Sequence, residues 1–461
     1  MSSASSAASL IDLRKGHPRT RNMPHALLAR ACRQAAARLD SASESQFPLQ
    51  YSSSACGNSG YLAKLGAFLR GAYASPVFDD GLLTTNGVSH GLELCCAALT
   101  QPGDTVWLET PSYFLAHQIF LDHGLHVRGV PIDADGLDVD ALAELLGRSD
   151  TTPPRLLYVV PSHGNPSGAV LPVARREALL ELARTYGFIV ITDDVYHLLD
   201  WTPPATDGGS AAPPPSRLLE MDAAFKRRVA SGSCGDGGGG GGDGEAEDDS
   251  YTNFDRRGES DSAAELGHVI SLGSFTKILA PGLRLGWLES SPGLIAKITA
   301  RGYLVSGGSV APFASEVVSE LLVADGQAAQ LLTTLIADYS HCASVMCDAL
   351  RRAGCFELLA PPRGGFFVWV GLPADLTAAQ LLPIAERHGV VFLPGHVCAP
   401  HDPASAICAR YVRLCFAYEE AGRIEEGVGR LAAAVAELQR RGGHGGEDVD
   451  DAKRPSKSRK A

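Results

Sequence analysis

The sequence predicts an α/β fold, with a large domain built on a mostly parallel sheet and a smaller α+β domain. Two observations carry this. From Leu82 to Asp194, strand-length apolar runs alternate with helix-length segments of amphipathic periodicity. Runs such as RLLYVVP (155–161) are apolar throughout, as strands covered on both faces require. After Arg301 the pattern changes to long helices between shorter strands, which marks the second region.

Residues 1–10 read as a loose tail and IDLRKGHPRTRNMP (11–24) as an extended arm pivoting at Gly16-His17-Pro18. A helix is expected over about His25–Leu39, and a second after an exposed loop around Tyr51. LLTTNGVSHGLELCCAAL (82–99) reads as a strand, a Thr-Asn-Gly turn and a helix. Asn86 or Thr85 is the expected N-cap there, with Leu92, Cys95, Cys96 and Leu99 on one face. Strand TVWLE (105–109) leads through Thr110-Pro111-Ser112-Tyr113 into a helix, and one more strand–helix pair ends near Arg148. The strand at 155–161 runs into Ser-His-Gly-Asn-Pro-Ser-Gly (162–168), and a helix over 173–186 leads to FIVITDD (188–194).

Between Trp201 and Leu266 the pattern stops. Pro-rich sequence and GDGGGGGGDGEAEDD (235–249) read as a disordered insert over 202–266, with a short helix near Leu218–Val229. The smaller region is expected to hold a helix over 313–352, FFVWVGLP (366–373), a helix over 377–388, VVFLPG (390–395), YVRLCFAY (411–418) and a helix to about Arg441. The domain reading is therefore 1–45 as arm and part of the small domain, 46–325 as the large domain, 326–441 as the small domain, and 442–461 as a disordered tail.

Composition narrows the function. The net charge of −12 opposes nucleic-acid binding. No apolar run approaches the ~20 residues that span a bilayer. Eleven cysteines without a C-x-x-C or a Cys/His zinc spacing predict a reduced, cytoplasmic setting and no metal site.

In open parallel sheets ligands bind where loops leave the carboxyl ends of strands, so loops 85–90, 110–113, 162–168, 193–196 and 273–284 are the candidates. The last belongs to SLGSFTKILAPGLRLGW (271–287), in which Ser274, Lys277 and Arg284 follow an apolar strand. Lysine is scarce, with eight in the chain and only Lys226 and Lys277 between Lys64 and Lys297. A lysine in an apolar loop loses hydration, and its neutral amine becomes a nucleophile and base. A serine and an arginine beside it offer donors to a phosphate. Taken alone, such a lysine is more often a solvated loop residue.

Set with Asn86-Gly87-Val88-Ser89, Asn165-Pro166-Ser167-Gly168, Asp193-x-x-Tyr196 and Arg413, the segment resembles the S-x-x-K region of the pyridoxal 5′-phosphate (PLP)-dependent class I/II aminotransferases. These are fold-type I enzymes, and the likeness is nearest to the 2-aminoadipate, kynurenine and aromatic branch. It covers about residues 11–200 and 267–440, the insert being the main departure.

The resemblance implies a role for each residue. Lys277 is the Schiff-base lysine and the base that moves the substrate proton. Ser274, Arg284 and the N–H groups of Val88 and Ser89 hold the phosphate. Asp193 keeps the pyridine nitrogen protonated, and Tyr196 and Asn165 donate to the ring's 3-oxygen. Tyr113 stacks on the ring, and Tyr51 reaches the phosphate of a neighbouring subunit, which implies a homodimer. Arg413 takes the substrate α-carboxylate, Gly16 lies against the substrate, and Gly364-Gly365 lets Phe366 approach it. Asp194 is read as capping a turn. The implied reaction is ping-pong transfer of an amino group from an L-α-amino acid, of 2-aminoadipate or aromatic type, to a 2-oxo acid.

Three alternatives stand beside it. A PLP-dependent lyase or decarboxylase would use the same fold. Ser274-x-x-Lys277 also matches the S-x-x-K of acyl-serine hydrolases, although there the motif opens a helix and here a strand leads in. An effector-sensing module of a transcription regulator would need a DNA-binding domain, for which the ten residues before Ile11 leave no room.

Overall fold

A computed structural model describes residues 10–41, 50–202, 215–232, 267–322, 326–399 and 404–443. In the N-terminal part, β1 (Ile11–Asp12) is followed by α1 (His25–Ser41), α2 (Ser59–Tyr73), β2 (Leu82–Thr85), α3 (Val88–Leu99), β3 (Thr105–Thr110) and α4 (Phe114–Asp122). The chain continues through β4 (His126–Asp133), β5 (Gly136–Leu137), α5 (Val139–Gly147), β6 (Leu156–Val159), α6 (Val173–Tyr186) and β7 (Ile189–Asp193). Then come α7 (Leu218–Gly232), β8 (Val269–Ser274), β9 (Gly286–Ser290) and α8 (Pro292–Thr299).

These strands form an eight-stranded sheet in the order β2-β9-β8-β7-β6-β3-β4-β5. The run β8-β7-β6-β3-β4 is parallel, and β2, β9 and β5 pair antiparallel at its edges. Its central strands are buried on both faces because helices cover both. Tyr158 and Ile191 pack with α3, α4 and α8, whereas Leu157, Val159 and Val190 pack with α5, α6 and the start of α7. That two-sided burial is why β6 is apolar throughout instead of alternating.

Past short helices α9 (Gly302–Gly307) and α10 (Pro312–Ser319) lies α11 (Gln327–Ala353). The single helix expected over 313–352 is thus two, and Gly326, at φ +74°, caps the second. A four-stranded antiparallel sheet follows, ordered β10 (Glu357–Leu358), β11 (Phe367–Gly371), β14 (Tyr411–Cys415), β13 (Leu393–Pro394). Helices α12 (Ala378–Arg387), α13 (Ala404–Cys408) and α14 (Ala421–Gly443) accompany it. Strand β1 pairs in parallel with β12 (Val390–Val391), and the Cys415 N–H donates to Leu13 O at 2.7 Å. The arm is therefore built into the C-terminal lobe.

Two further expectations are corrected. Helix α3 is capped by Gly87 (φ +82°), without a side-chain bond from Asn86 or Thr85, because the chain enters the helix through a conformation that favours glycine. Within the segment read as disordered insert, residues 215–227 are packed. Leu218 and Leu219 join the core, and Arg217 is buried against Glu289 at 2.7 Å with its guanidinium 3.8 Å over the Tyr73 ring. Asp222 pairs with Arg184 and accepts the His268 N–H. The helix expected near Leu218–Val229 is α7; it is its packing that the low-complexity surroundings mask. The flanking 203–214 and 233–266, the tail from 444 and residues 1–9 lie outside the described residues. Among the described residues, no helix is long and apolar enough to cross a membrane.

Candidate active site

All five candidate loops open into one cavity of about 500 Å³ at the carboxyl ends of the parallel strands. From the large sheet come Val88 and Ser89, Tyr113, Asn165, Asp193 and Tyr196, and Ser274, Lys277 and Arg284. The smaller lobe adds Arg413, Phe367 and Leu393, and the arm adds Arg14, Lys15, Gly16 and His17.

Lys277 stands at the centre. Its Nζ donates to the Gly16 carbonyl at 2.8 Å and lies 5.9 Å from the centroid of the Tyr196 ring. Burial pushes its pKa down to about 8, and the cations Arg413 and Arg284 push the same way, while Cys415 and Asp193 oppose them. An amine in that range is partly neutral near pH 7, as a nucleophile requires. Ser274 is not joined to it. The Ser274 Oγ donates to Thr276 Oγ1 at 2.7 Å and accepts the Thr276 N–H. A serine nucleophile activated by Lys277 therefore has no geometric basis here.

Asp193 ends β7 at the cavity floor and is 5 % exposed. Its Oδ2 accepts from Tyr158 Oη at 2.7 Å, and its Oδ1, buried, has no partner among the described residues. Burial raises its pKa to about 6, opposed by the Tyr158 hydroxyl and the Val195 N–H. A buried carboxylate oxygen left unpaired is costly, and a ligand N–H would relieve that cost. Tyr196 packs its ring on Phe366 and Phe367, and burial raises its phenol well above the usual range.

At one end, the N-terminus of α3 meets the loop after β8. Arg284, itself at φ +47°, donates to the Asn86 carbonyl at 3.1 Å. A Cβ on Gly87 would come within 3.2 Å of the Arg284 guanidinium, so glycine lets that cation close over the helix terminus. Backbone N–H groups, a hydroxyl pair and a guanidinium thus converge on one place, the donor set an anion needs. At the other end, Arg413 donates to Asn165 Oδ1 at 2.8 Å and to the Arg14 carbonyl at 2.9 Å, with its guanidinium 4.0 Å over the Phe367 ring. Its buried Nε has no partner among the described residues. Because Asn165 accepts through Oδ1, its NH₂ is left as a donor. The three sets fit PLP: a phosphate cradle, a central amine, and an unpaired carboxylate oxygen for a ring nitrogen.

Tyr113 lines the cavity from the N-cap position of α4. Tyr51 does not line it and is 83 % exposed. Two assignments change. Phe367 lines the cavity, whereas Phe366 is fully buried between Tyr196 and Tyr339. The glycines before it make room for His163, whose ring would meet a Cβ on Gly364 at 2.2 Å. Asp194 caps no turn with its side chain. It accepts from the hydroxyls of Thr192 and Ser271, both at 2.6 Å, and ties β7 to β8.

Sequence reasoning missed Tyr158 and Thr276, and of the arm it singled out Gly16 but not Arg14, Lys15 or His17. A hydroxyl inside an otherwise apolar central strand was the one signal for Tyr158. Which neighbours of Gly16 line the cavity depends on contacts with the far end of the chain.

A family model described as aminotransferase class I and II matches residues 10–225 and 237–431. The aromatic-amino-acid aminotransferase 1 of Thermococcus litoralis is 27% identical over 376 residues, 81% of this chain and 76% of that protein. The 2-aminoadipate transaminase of Thermus thermophilus is 29% identical over 364 residues, 78% of this chain and 77% of that protein. In structure, a Pyrococcus horikoshii kynurenine aminotransferase, solved in complex with PMP, superposes with a TM-score of 0.73 at 26% identity, covering 94% of this chain and 92% of that one.

Proposed function

We propose a function from one premise: the chain belongs to the class I and II aminotransferases and is a PLP-dependent transaminase. Its amino donor is an L-α-amino acid of 2-aminoadipate or aromatic type, and its acceptor is a 2-oxo acid. The observation that carries the reading is the placement of Lys277 between an anion cradle and Arg413, with the unpaired oxygen of Asp193 below. Support for the substrate class comes from the names of the similar enzymes. It also comes from a cavity wall of Tyr113, Phe114, Leu115, Phe367 and Leu393, with Lys15 and Arg14 also among its lining.

When bound, the cofactor supplies an aldehyde and an electron-withdrawing ring. The chain's residues do the rest. Arg413 fixes the substrate carboxylate through its planar donors. Lys277 would take the proton from the substrate Cα and return it on the cofactor side. Asp193, ionised, would accept the N–H of the ring nitrogen. Asn165 NH₂ and the Tyr196 hydroxyl would donate to the ring's 3-oxygen. Ser274, Arg284 and the first N–H groups of α3 would hold the phosphate.

The working assembly is a homodimer in which Tyr51 reaches the partner's phosphate, a role suited to its exposure here. None of the ten described cysteines is joined in a disulfide, which suits a cytoplasmic setting. A panel of amino donors with 2-oxoglutarate tests the reading. Keto-acid formation from 2-aminoadipate or aromatic donors is expected, and Lys277→Ala should lose both turnover and the visible cofactor band. Ammonia or CO₂ release without amino transfer would place the protein among lyases or decarboxylases.

A further inference from the structure

Tyr158 is a fully buried phenol in the middle of the parallel sheet, and nothing in the reading above uses it. On β6 it stands beside Ile191 of β7, so Asp193 lies two residues further along the same face. Such diagonal neighbours sit roughly 7–8 Å apart, a gap that a tyrosine spans. Its ring packs edge-on against Phe120 of α4 at 5.9 Å, which fixes its direction. The hydroxyl then meets Asp193 Oδ2 at 2.7 Å.

We propose that Tyr158 is a positioning residue for the cofactor ring. By occupying Oδ2 of Asp193, its hydroxyl leaves Oδ1 as the single oxygen that takes the ring N–H. This rests on the transaminase reading and goes beyond it, because it assigns to a second residue the control of how Asp193 meets the ring nitrogen. Three observations support it. Oδ2 is engaged while Oδ1, on a residue that lines the cavity, is unpaired. Burial alone drives Asp193 toward its neutral form, which would accept no proton from a ring nitrogen. Among the described residues, Tyr158 provides the side-chain donor that opposes this drift.

The test separates a role through the ring nitrogen from mere packing. Tyr158→Phe keeps the ring against Phe120 and removes only the hydroxyl. Equilibrium dialysis of the apoprotein measures affinity for PLP and for its 1-deaza analogue, which carries a C–H in place of the ring nitrogen. Tyr158→Phe should bind PLP about tenfold more weakly, the worth of one hydrogen bond to a charged group, and should bind the analogue as the parent does. In an Asp193→Asn background, Tyr158→Phe should have no further effect on PLP. Equal losses for PLP and analogue, an unchanged PLP affinity, or full additivity with Asp193→Asn would each overturn the proposal. A parent protein that takes up neither compound would overturn the cofactor reading, and this inference with it.

Discussion

The depressed pKa of Lys277 makes a quantitative forecast about cofactor capture. The amine attacks the aldehyde only when neutral. With its pKa at about 8 instead of the ordinary 10.5, about one Lys277 in ten is neutral at pH 7. An unperturbed lysine would be neutral in roughly one chain in three thousand, so the cavity raises the reactive fraction at pH 7 about 300-fold. The sign follows from the cause: burial penalises the ammonium, so capture rises with pH and levels off above about 8. Stopped-flow mixing of apoprotein with PLP, followed by growth of the visible band between pH 6 and 10, reads this directly. The rate should climb about tenfold per pH unit at the acid end and flatten past the midpoint. A rate still climbing at that slope up to pH 10 would show that Lys277 is hydrated like any surface lysine, and the account of the site as a dry enclosure would be wrong.

Two further outcomes follow. Arg413→Lys replaces a planar fork with a point charge, so kcat/KM for the amino donor should fall about a hundredfold, the worth of one or two charge-assisted bonds. The visible band should remain, and a change under threefold would remove Arg413 from substrate recognition. Arg217→Ala strips Glu289 of its buried partner, and denaturant unfolding of the holoprotein should show a loss of about 3–5 kcal/mol. A loss below about 1 kcal/mol would mean that the pair is hydrated in solution.

Much of the site can be read from the sequence because parallel sheets impose a simple rule. Every strand delivers its following loop to the same edge, so Asn165, Asp193, Tyr196 and Lys277 converge once the strands are recognised. Tyr158 escapes that logic. It acts from within a strand, across to the next one, and depends on a register that apolar runs do not specify. Gly16 marks the arm as facing the substrate, but Arg14, Lys15 and His17 beside it are not singled out, for a different reason. They reach the cavity only because β1 pairs with β12, a contact between distant parts of the chain. Helix α7 shows a third limit: the helix near Leu218 is legible, but composition averaged over a Gly/Pro-rich stretch hides that it is packed and anchored by one buried arginine.

The arm's attachment has a consequence for the order of assembly. Ile11 and Leu13 bond to Gly389 and Val391, Arg19 to Ala417, and the Arg14 carbonyl to Arg413. During synthesis these early residues must wait, unpaired, until the C-terminal strands leave the ribosome. The cradle for the phosphate can form long before the clamp for the substrate does. The enclosure that dries Lys277, which includes Arg413, Cys415 and Phe366, arrives only with the clamp, so the amine becomes reactive when the last strands are in place.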